Sequence, residues 1–152
     1  MSIKEKILTD MKTAMKAKDP LRLQVLRSLK AKLMEKEISE RKGGEAEISD
    51  EQSVEVLMKA AKQRKESIDQ YESGGRDDLA DAEKKELSII EEYLPEMMSE
   101  DEVRDIVKQK ITQLGASGPA DMGKVMGALM GQLKGKADGG MISTIVKEEL
   151  NN

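Results

Sequence analysis

The residues with most to offer chemically are Lys124, Lys134 and Lys136, set among glycines in the stretch Asp121 to Leu150, DMGKVMGALMGQLKGKADGGMISTIVKEEL. Read as a helix beginning at Asp121, it places Gly123, Gly127, Gly131 and Gly135 four residues apart, so they form one slowly drifting stripe. Met122, Val125, Met126, Leu129, Met130 and Leu133 cover the other side. Lys124 and Lys134 point to the glycine side, and Lys136 follows just past the end. Gly135 is expected as the C-terminal cap, where positive φ favours glycine. The other three together cost about 3 kcal/mol relative to alanine if all are helical. Such regular spacing suggests that something approaches this backbone closely. One occupant is another helix of the same chain, as in small-residue packing. The other is a nucleic-acid backbone, because amides and flanking lysines suit phosphate. The candidate RNA-binding set is therefore Lys124, Lys134, Lys136, Gly123, Gly127 and Gly131.

Other chemistry is hard to assemble. The chain has no Cys, so no disulfide frame or thiol chemistry, and no His, the commonest general base and metal ligand. Gly118 to Lys124, GPADMGK, fits G-x-x-x-x-G-K, but Val125 stands where a phosphate loop needs Ser or Thr, and no strand signal precedes it. GKADGG, residues 135 to 140, reads as a tight interhelical turn, with Asp138 capping the next helix and the glycines supplying unusual backbone angles. That account leaves Lys134 and Lys136 without a structural task. Glu83, Glu86, Glu91 and Glu92 have no histidine or aspartate cluster beside them, so they read as a solvated face and not as a metal site. No catalytic residue, metal or cofactor is expected, and the residues alone describe a binding module.

The elements that position these residues are helical. Ala, Leu, Met, Glu and Lys dominate, no alternating β-branched run supports a strand, and 11 Met with Leu, Ile and Val must fill a core that has two Tyr and neither Phe nor Trp. Ser2 with Glu5, Ser49 with Gln52 and Ser99 with Glu102 read as capping boxes, and Asp19-Pro20 as a cap with proline at the first helical position. The expected inner faces are Ile3, Ile7, Leu8, Met11 and Met15 in the first helix, and Leu21, Val25, Leu26, Leu29 and Leu33 in the second. Gly43-Gly44 ends that pair. The third helix turns Val54, Leu57, Met58, Ala61, Ile68 and Tyr71 inward and stops at Gly74-Gly75. The fourth starts at Asp77 or Asp78 and runs through Leu79, Leu87, Ile90 and Leu94. Leu94-Pro95 marks a boundary, because proline disfavours helix in the residue before it. Beyond it come the stripe Val103, Ile106, Val107, Ile111 and Leu114, the glycine-striped helix, and a last helix with Met141, Ile142, Ile145, Val146 and Leu150 inward. The expected fold is all-α: a bundle of about four helices over residues 1–95, then a small three-helix domain over 96–152.

Charge is graded along the chain. Residues 1–44 carry 12 basic and 6 acidic side chains, residues 45–101 carry 7 and 18, and residues 102–152 carry 7 and 6, for a net −4. An acidic total argues against a general nucleic-acid coat but not against a local basic surface. Lys12, Lys16, Lys18, Arg22, Arg27, Lys30 and Lys32 form such a surface on the first two helices, although a charged outer face is most often simply solvated. No apolar run approaches a membrane span of about 18 residues, and no apolar signal core opens the chain. The cytoplasm is therefore the expected location.

The combination of YLPEMMSEDEV with GPADMGKVMGALMGQLKGKADGGMISTIVKEEL resembles the GatB/YqeY family, and the whole chain is similar to its stand-alone YqeY-like members. Residues 122 to 150 carry the most specific part, similar to the C-terminal tail of the B subunit of the glutamine-dependent tRNA amidotransferase. The family's glycine–lysine pattern falls on Gly123, Lys124, Gly127, Gly135, Lys136, Ala137 and Asp138, and its closing motif on Val146, Lys147 and Leu150. The resemblance implies tRNA as a partner, with an amidotransferase or synthetase as a further protein partner. It also implies a link to carbon–nitrogen ligase chemistry with glutamine as amide donor. The catalytic, ATP-using domain of that enzyme lies upstream of the tail and has no counterpart in residues 1–95, so amide transfer would need a partner subunit. Two functions stay open: docking of folded RNA through the C-terminal helices, and a protein-interaction module whose glycine stripe receives a partner helix.

Overall fold

The computed structural model describes residues 1–41 and 47–151, and the fold among them is all-α, with seven α-helices and no strand. The Gly43-Gly44 stop lies outside the described residues. The chain divides into two compact units, Met1–Leu94 and Pro95–Asn152.

The first unit contains α1 (Ile3–Lys16), α2 (Pro20–Ser39), α3 (Asp50–Ser73) and α4 (Asp77–Glu91). The capping chemistry sets three of these four starts. The Glu5 amide donates to Ser2 Oγ at 3.2 Å and the Ser2 amide to Glu5 Oε2 at 2.8 Å. Ser49 and Gln52 repeat the reciprocal pair at 3.1 and 3.0 Å, and the Arg22 amide donates to Asp19 Oδ1 at 3.1 Å. Each cap satisfies amides that would otherwise lack a partner. α4 begins after Arg76 with no side-chain cap, and its two leading aspartates complement the helix dipole instead.

Ile7, Leu26, Leu29, Leu33, Leu57 and Ile90 are the largest fully buried side chains of this unit. Met15 does not join them. It is 55% exposed, and Ala14, one residue earlier, takes the buried position. Ala14 lies seven residues, two helical turns, after the buried Ile7 and so shares its face, while Met15 is turned about 100° away. Past the helix end, Lys18 adopts a left-handed φ of 54° and the Asp19 amide donates back to the Ala14 carbonyl at 3.0 Å. α4 ends at Glu91, three residues before Leu94, and Tyr93 follows as a buried side chain.

Three arginine or tyrosine contacts join the helices of this unit. Arg22 reaches Glu92 with two hydrogen bonds, at 2.6 and 3.2 Å. Arg64 of α3 lies between Glu83 and Glu86 of α4, at 3.0 and 2.7 Å. The reading of these acids as a merely solvated face is thereby corrected for Glu83, Glu86 and Glu92, which pair across helices. The Tyr93 hydroxyl donates to Asp10 Oδ2 at 2.5 Å, with Lys6 Nζ 5.4 Å from the ring centroid. Burial first, then the hydrogen bond to Asp10, holds the Tyr93 phenol well above its ordinary value of 10.0.

Two outcomes are expected. Arg64→Ala leaves two half-buried carboxylates facing each other and lowers stability by about 1–3 kcal/mol, read from urea unfolding followed by circular dichroism. Arg64→Lys recovers only part of this, because an ammonium cannot hold the same fork geometry. For Tyr93, a folded-state pKa above the unfolded one means its stabilisation is complete below about pH 10 and is lost as pH rises further. Alkaline titration of stability should therefore fall above about pH 10 in the parent, with a shallower fall in Tyr93→Phe. Equal slopes in the two proteins would remove Tyr93 as the cause.

Candidate functional site

The second unit contains α5 (Glu100–Leu114), a 3₁₀ turn at Pro119–Asp121, α6 (Met122–Leu133) and α7 (Gly139–Leu150). α5 opens on the Ser99–Glu102 capping box and closes on Gly115, whose left-handed φ of 66° lets the Ala116 amide return to the Ile111 carbonyl at 3.0 Å. Asp138 caps α7 by accepting from the Met141 amide at 3.2 Å. The core is formed by Val103 and Val107 of α5, Val125, Leu129 and Leu133 of α6, and Ile142, Ile145, Val146 and Leu150 of α7. Arg104 ties α5 to α7, donating to Glu149 at 2.6 Å and Glu148 at 2.7 Å, with Glu100 at 3.1 Å on its own helix. Hydrogen bonds to Glu148, Glu149 and Glu100 raise its pKa further above the ordinary arginine value. Sequence reasoning missed this clamp, because three acids on two helices converge only after folding.

Several local expectations shift in detail. α6 begins at Met122, not Asp121. The Asp121 carboxylate accepts from the Ser117 amide at 3.0 Å and so closes the preceding loop. Gly123 and Lys124 of the GPADMGK stretch lie on the first turn of α6, behind a 3₁₀ turn. Gly135 is not the helix cap; Lys134 takes that position. With Lys134 at φ −57°, ψ 126° and Gly135 at φ 77°, the Lys136 amide donates to the Leu133 carbonyl at 2.9 Å. This is a type II turn, which needs positive φ at its third residue and so selects glycine. Gly139 and Gly140 take no unusual angles; they are the first two residues of α7.

The glycine stripe itself stands open. Gly123, Gly127 and Gly131 are exposed, and a Cβ built on any of them meets nothing within 4 Å. No described helix of the second unit packs on that face, so packing within this unit does not account for the glycines. α6 therefore divides sharply. At about 100° per residue, Val125, Leu129 and Leu133 face the core, half-buried Met126 and Met130 line one edge of the stripe, and exposed Lys124 lines the other. A further correction concerns the amides. Interior amides of an α-helix already donate to carbonyls four residues back, so Gly127 and Gly131 offer closeness, not donors.

The lysines do not form one cluster. Lys124 lies on the first turn of α6 and its ammonium donates to the Leu114 carbonyl at 3.2 Å, satisfying the end of α5. Lys134 and Lys136 flank Gly135 at the other end, about 15 Å further along the helix. Both are exposed, and the Met98 amide donates to the Lys136 carbonyl at 2.9 Å, which fixes that turn. The Lys134 amide closes α6 on the Met130 carbonyl at 3.1 Å, a backbone contact that does not depend on the lysine side chain. The two ends differ electrostatically. A helix N-terminus attracts an anion, whereas at the C-terminus the lysine charge must overcome exposed carbonyls. Among the described residues, no group of three acidic side chains is placed to hold a metal ion. No described helix is long and apolar enough to cross a membrane.

These features define an all-α protein built of two small helical units, the second of which presents a bare helix face. The family model described as Yqey-like protein matches residues 4–150, and the chain belongs to that family. Among curated proteins it is similar to "Altered inheritance of mitochondria protein 41, mitochondrial" of Lachancea thermotolerans, 34% identical over 73% of this chain and 59% of the relative. The protein of the same name from Meyerozyma guilliermondii is 35% identical over 78% of this chain and 61% of its own length. The chain thus spans about three-fifths of these relatives. Their names overturn the expected cytoplasmic location, since both relatives are mitochondrial proteins. The physical reason is that missing apolar runs speak only to membrane insertion and secretory export. Mitochondrial targeting segments are amphipathic and basic, and that test does not see them.

Because a methyl group at the stripe meets only open space, Gly127→Ala and Gly131→Ala should each stabilise the protein by about 0.5–1 kcal/mol. Thermal unfolding of the double variant at a higher midpoint than the parent checks this. A lower midpoint would show that the face is already occupied.

Proposed function

We propose that this protein docks folded RNA, with tRNA as the foremost candidate, through the bare face of α6. The observation that carries the reading is the exposed glycine stripe at Gly123, Gly127 and Gly131, which no described part of the second unit covers. Three helical glycines weaken α6, and an external partner that needs close approach to the backbone accounts for their retention. Lys124 is the first anchor, on a helix N-terminus suited to phosphate. Its single hydrogen bond to the exposed Leu114 carbonyl is readily exchanged for a stronger charge-assisted one. Lys134 and Lys136 supply a second contact past the far end. Recognition would be by shape and phosphate, because stacking on unpaired bases normally uses aromatic rings and the chain's two tyrosines lie in the first unit. Membership of the Yqey-like family and the resemblance of residues 122–150 to an amidotransferase tail support the same direction.

A second reading is favoured by Met126 and Met130. Half-exposed methionines beside a glycine stripe are a deformable apolar border that suits a partner helix. The two readings differ in salt response. Phosphate contacts release counterions, so RNA affinity falls linearly in log salt, whereas an apolar helix groove shows little such dependence.

The test is binding of purified total tRNA by fluorescence anisotropy across a salt series, with duplex DNA as competitor. The Lys124, Lys134, Lys136→Ala triple variant should bind more weakly, with a log–log salt slope smaller by up to about 3. The Gly127, Gly131→Ala variant should be more stable yet bind less well, because the added methyls obstruct approach. Unchanged affinity and slope in both variants would dismiss RNA docking at this face.

A further inference from the structure

The first unit carries a polar groove of its own. It runs between α2 and α3 as two adjoining clefts of about 270 and 290 Å³ that share Lys32, Ala60 and Gln63. The helices lie antiparallel here, since Ser28 of α2 shares the first cleft with Ser67 of α3, and Ser39 shares the second with Val56. From residue 28 to residue 39 the groove spans about 16 Å of helix. Its existence follows from the facing residue types. Ser28, Ala60 and Ser67 are too small to meet across the gap, while Val25, Leu29 and Ile90 close its floor from the core. The walls are polar and mainly cationic.

The charges can be sorted by what already neutralises them. Arg64 is held by Glu83 and Glu86, and Lys36 pairs with Glu40 at 2.8 Å. Glu35 is the one acid among the lining residues. Lys32, half-buried and common to both clefts, and Lys59 on the opposite wall have no ion-pair partner among the described residues. Two cations therefore line the second cleft from opposite walls with Gln63, and Lys32 and Gln63 also line the first, with Ser28 and Ser67. A bound anion would answer both charges at once.

We propose that the α2–α3 groove is a phosphoryl-binding site, with Lys32 and Lys59 as the charged contacts and Gln63 as a neutral donor. The chemistry selects phosphate over carboxylate, because a tetrahedral anion with several acceptor oxygens can take donors from both walls at once. No aromatic residue lines the groove, and each cleft is at the small end for ligand pockets, so the site takes a phosphate ester or diester group without a base. That group can belong to a free phosphorylated compound or to an RNA backbone. The site does not depend on the α6 docking face, and its test uses different residues.

The experiment is titration of the isotope-labelled full chain with inorganic pyrophosphate, followed by amide NMR. The parent should show saturable shifts centred on Ser28, Lys32, Lys59, Ala60 and Gln63. Lys32→Gln with Lys59→Gln should weaken binding about tenfold or more, whereas the charge-matched control Lys12→Gln with Lys16→Gln should retain it. Absence of saturable shifts in the parent, or equal binding by both double variants, overturns the site. A tRNA salt series on the same proteins separates the sources. Weaker tRNA binding in the Lys32, Lys59 variant identifies an RNA backbone, and unchanged tRNA binding alongside lost pyrophosphate binding identifies a free phosphorylated compound.

Discussion

The second unit depends on one constraint: α6 must bury one face completely to tolerate the other. A 12-residue helix is marginal in water even with good helix formers, and three interior glycines make it weaker. Val125, Leu129 and Leu133 supply what propensity does not. Each is at most 1% exposed, and together they make one continuous ridge against α5 and α7. Remove that ridge and nothing intrinsic would keep residues 122–133 helical. The bare face and the buried face are thus two sides of one arrangement, and the first exists only because of the second.

Elsewhere the chain meets a different shortage. It has almost no aromatic volume, so its cores rest on aliphatic side chains, while arginine forks strengthen the joins between helices. Contrary to the expectation, no described methionine is fully buried, and those that touch the cores pack at their edges. Arg64 and Arg104 reach carboxylates on a second helix and Arg22 reaches Glu92 just past the end of α4, and in every case the side chain is partly covered. Partly buried arginine–carboxylate contacts hold orientation better than lysine would, because the planar fork accepts few alternative geometries. Tyr93 plays a similar part at the end of the first unit, where its ring joins the core and its hydroxyl finds Asp10. These contacts also decide which charges remain available. Lys32 and Lys59 have no described carboxylate partner, while Arg64, on the same groove, is already answered twice over.

Much of the secondary structure was legible in residue order. Capping boxes at Ser2, Ser49 and Ser99, the Asp19-Pro20 start and the glycine stop at Gly74-Gly75 are local chemistry, decided within a few residues. Apolar periodicity identified Leu26, Leu29, Leu33, Val103, Val107 and Ile142 as core. It failed at Met15, because Ala14 and Met15 both fall near the inner face by period, and the small Ala14, which carries little periodic signal, is the one that is buried. Ser53, Ala60 and Ala80 were also missed as buried positions, since small residues carry little periodic signal. Of the candidate site, the spacing of the glycines was visible, but whether anything covered them was not.

The sequence by itself determined the all-α class, the helix starts and the one-sided composition of α6, because caps, propensity and period act over one or two turns. Only the tertiary structure decided that the glycine face stands open, that Lys124 reaches the end of α5, and that Glu83, Glu86 and Glu92 belong to arginines. It alone brought Lys32 and Lys59 to opposite walls of one groove. The reason is that each of these depends on residues far apart in the chain meeting or failing to meet. Local periodicity can say which way a side chain points, but not what stands opposite it.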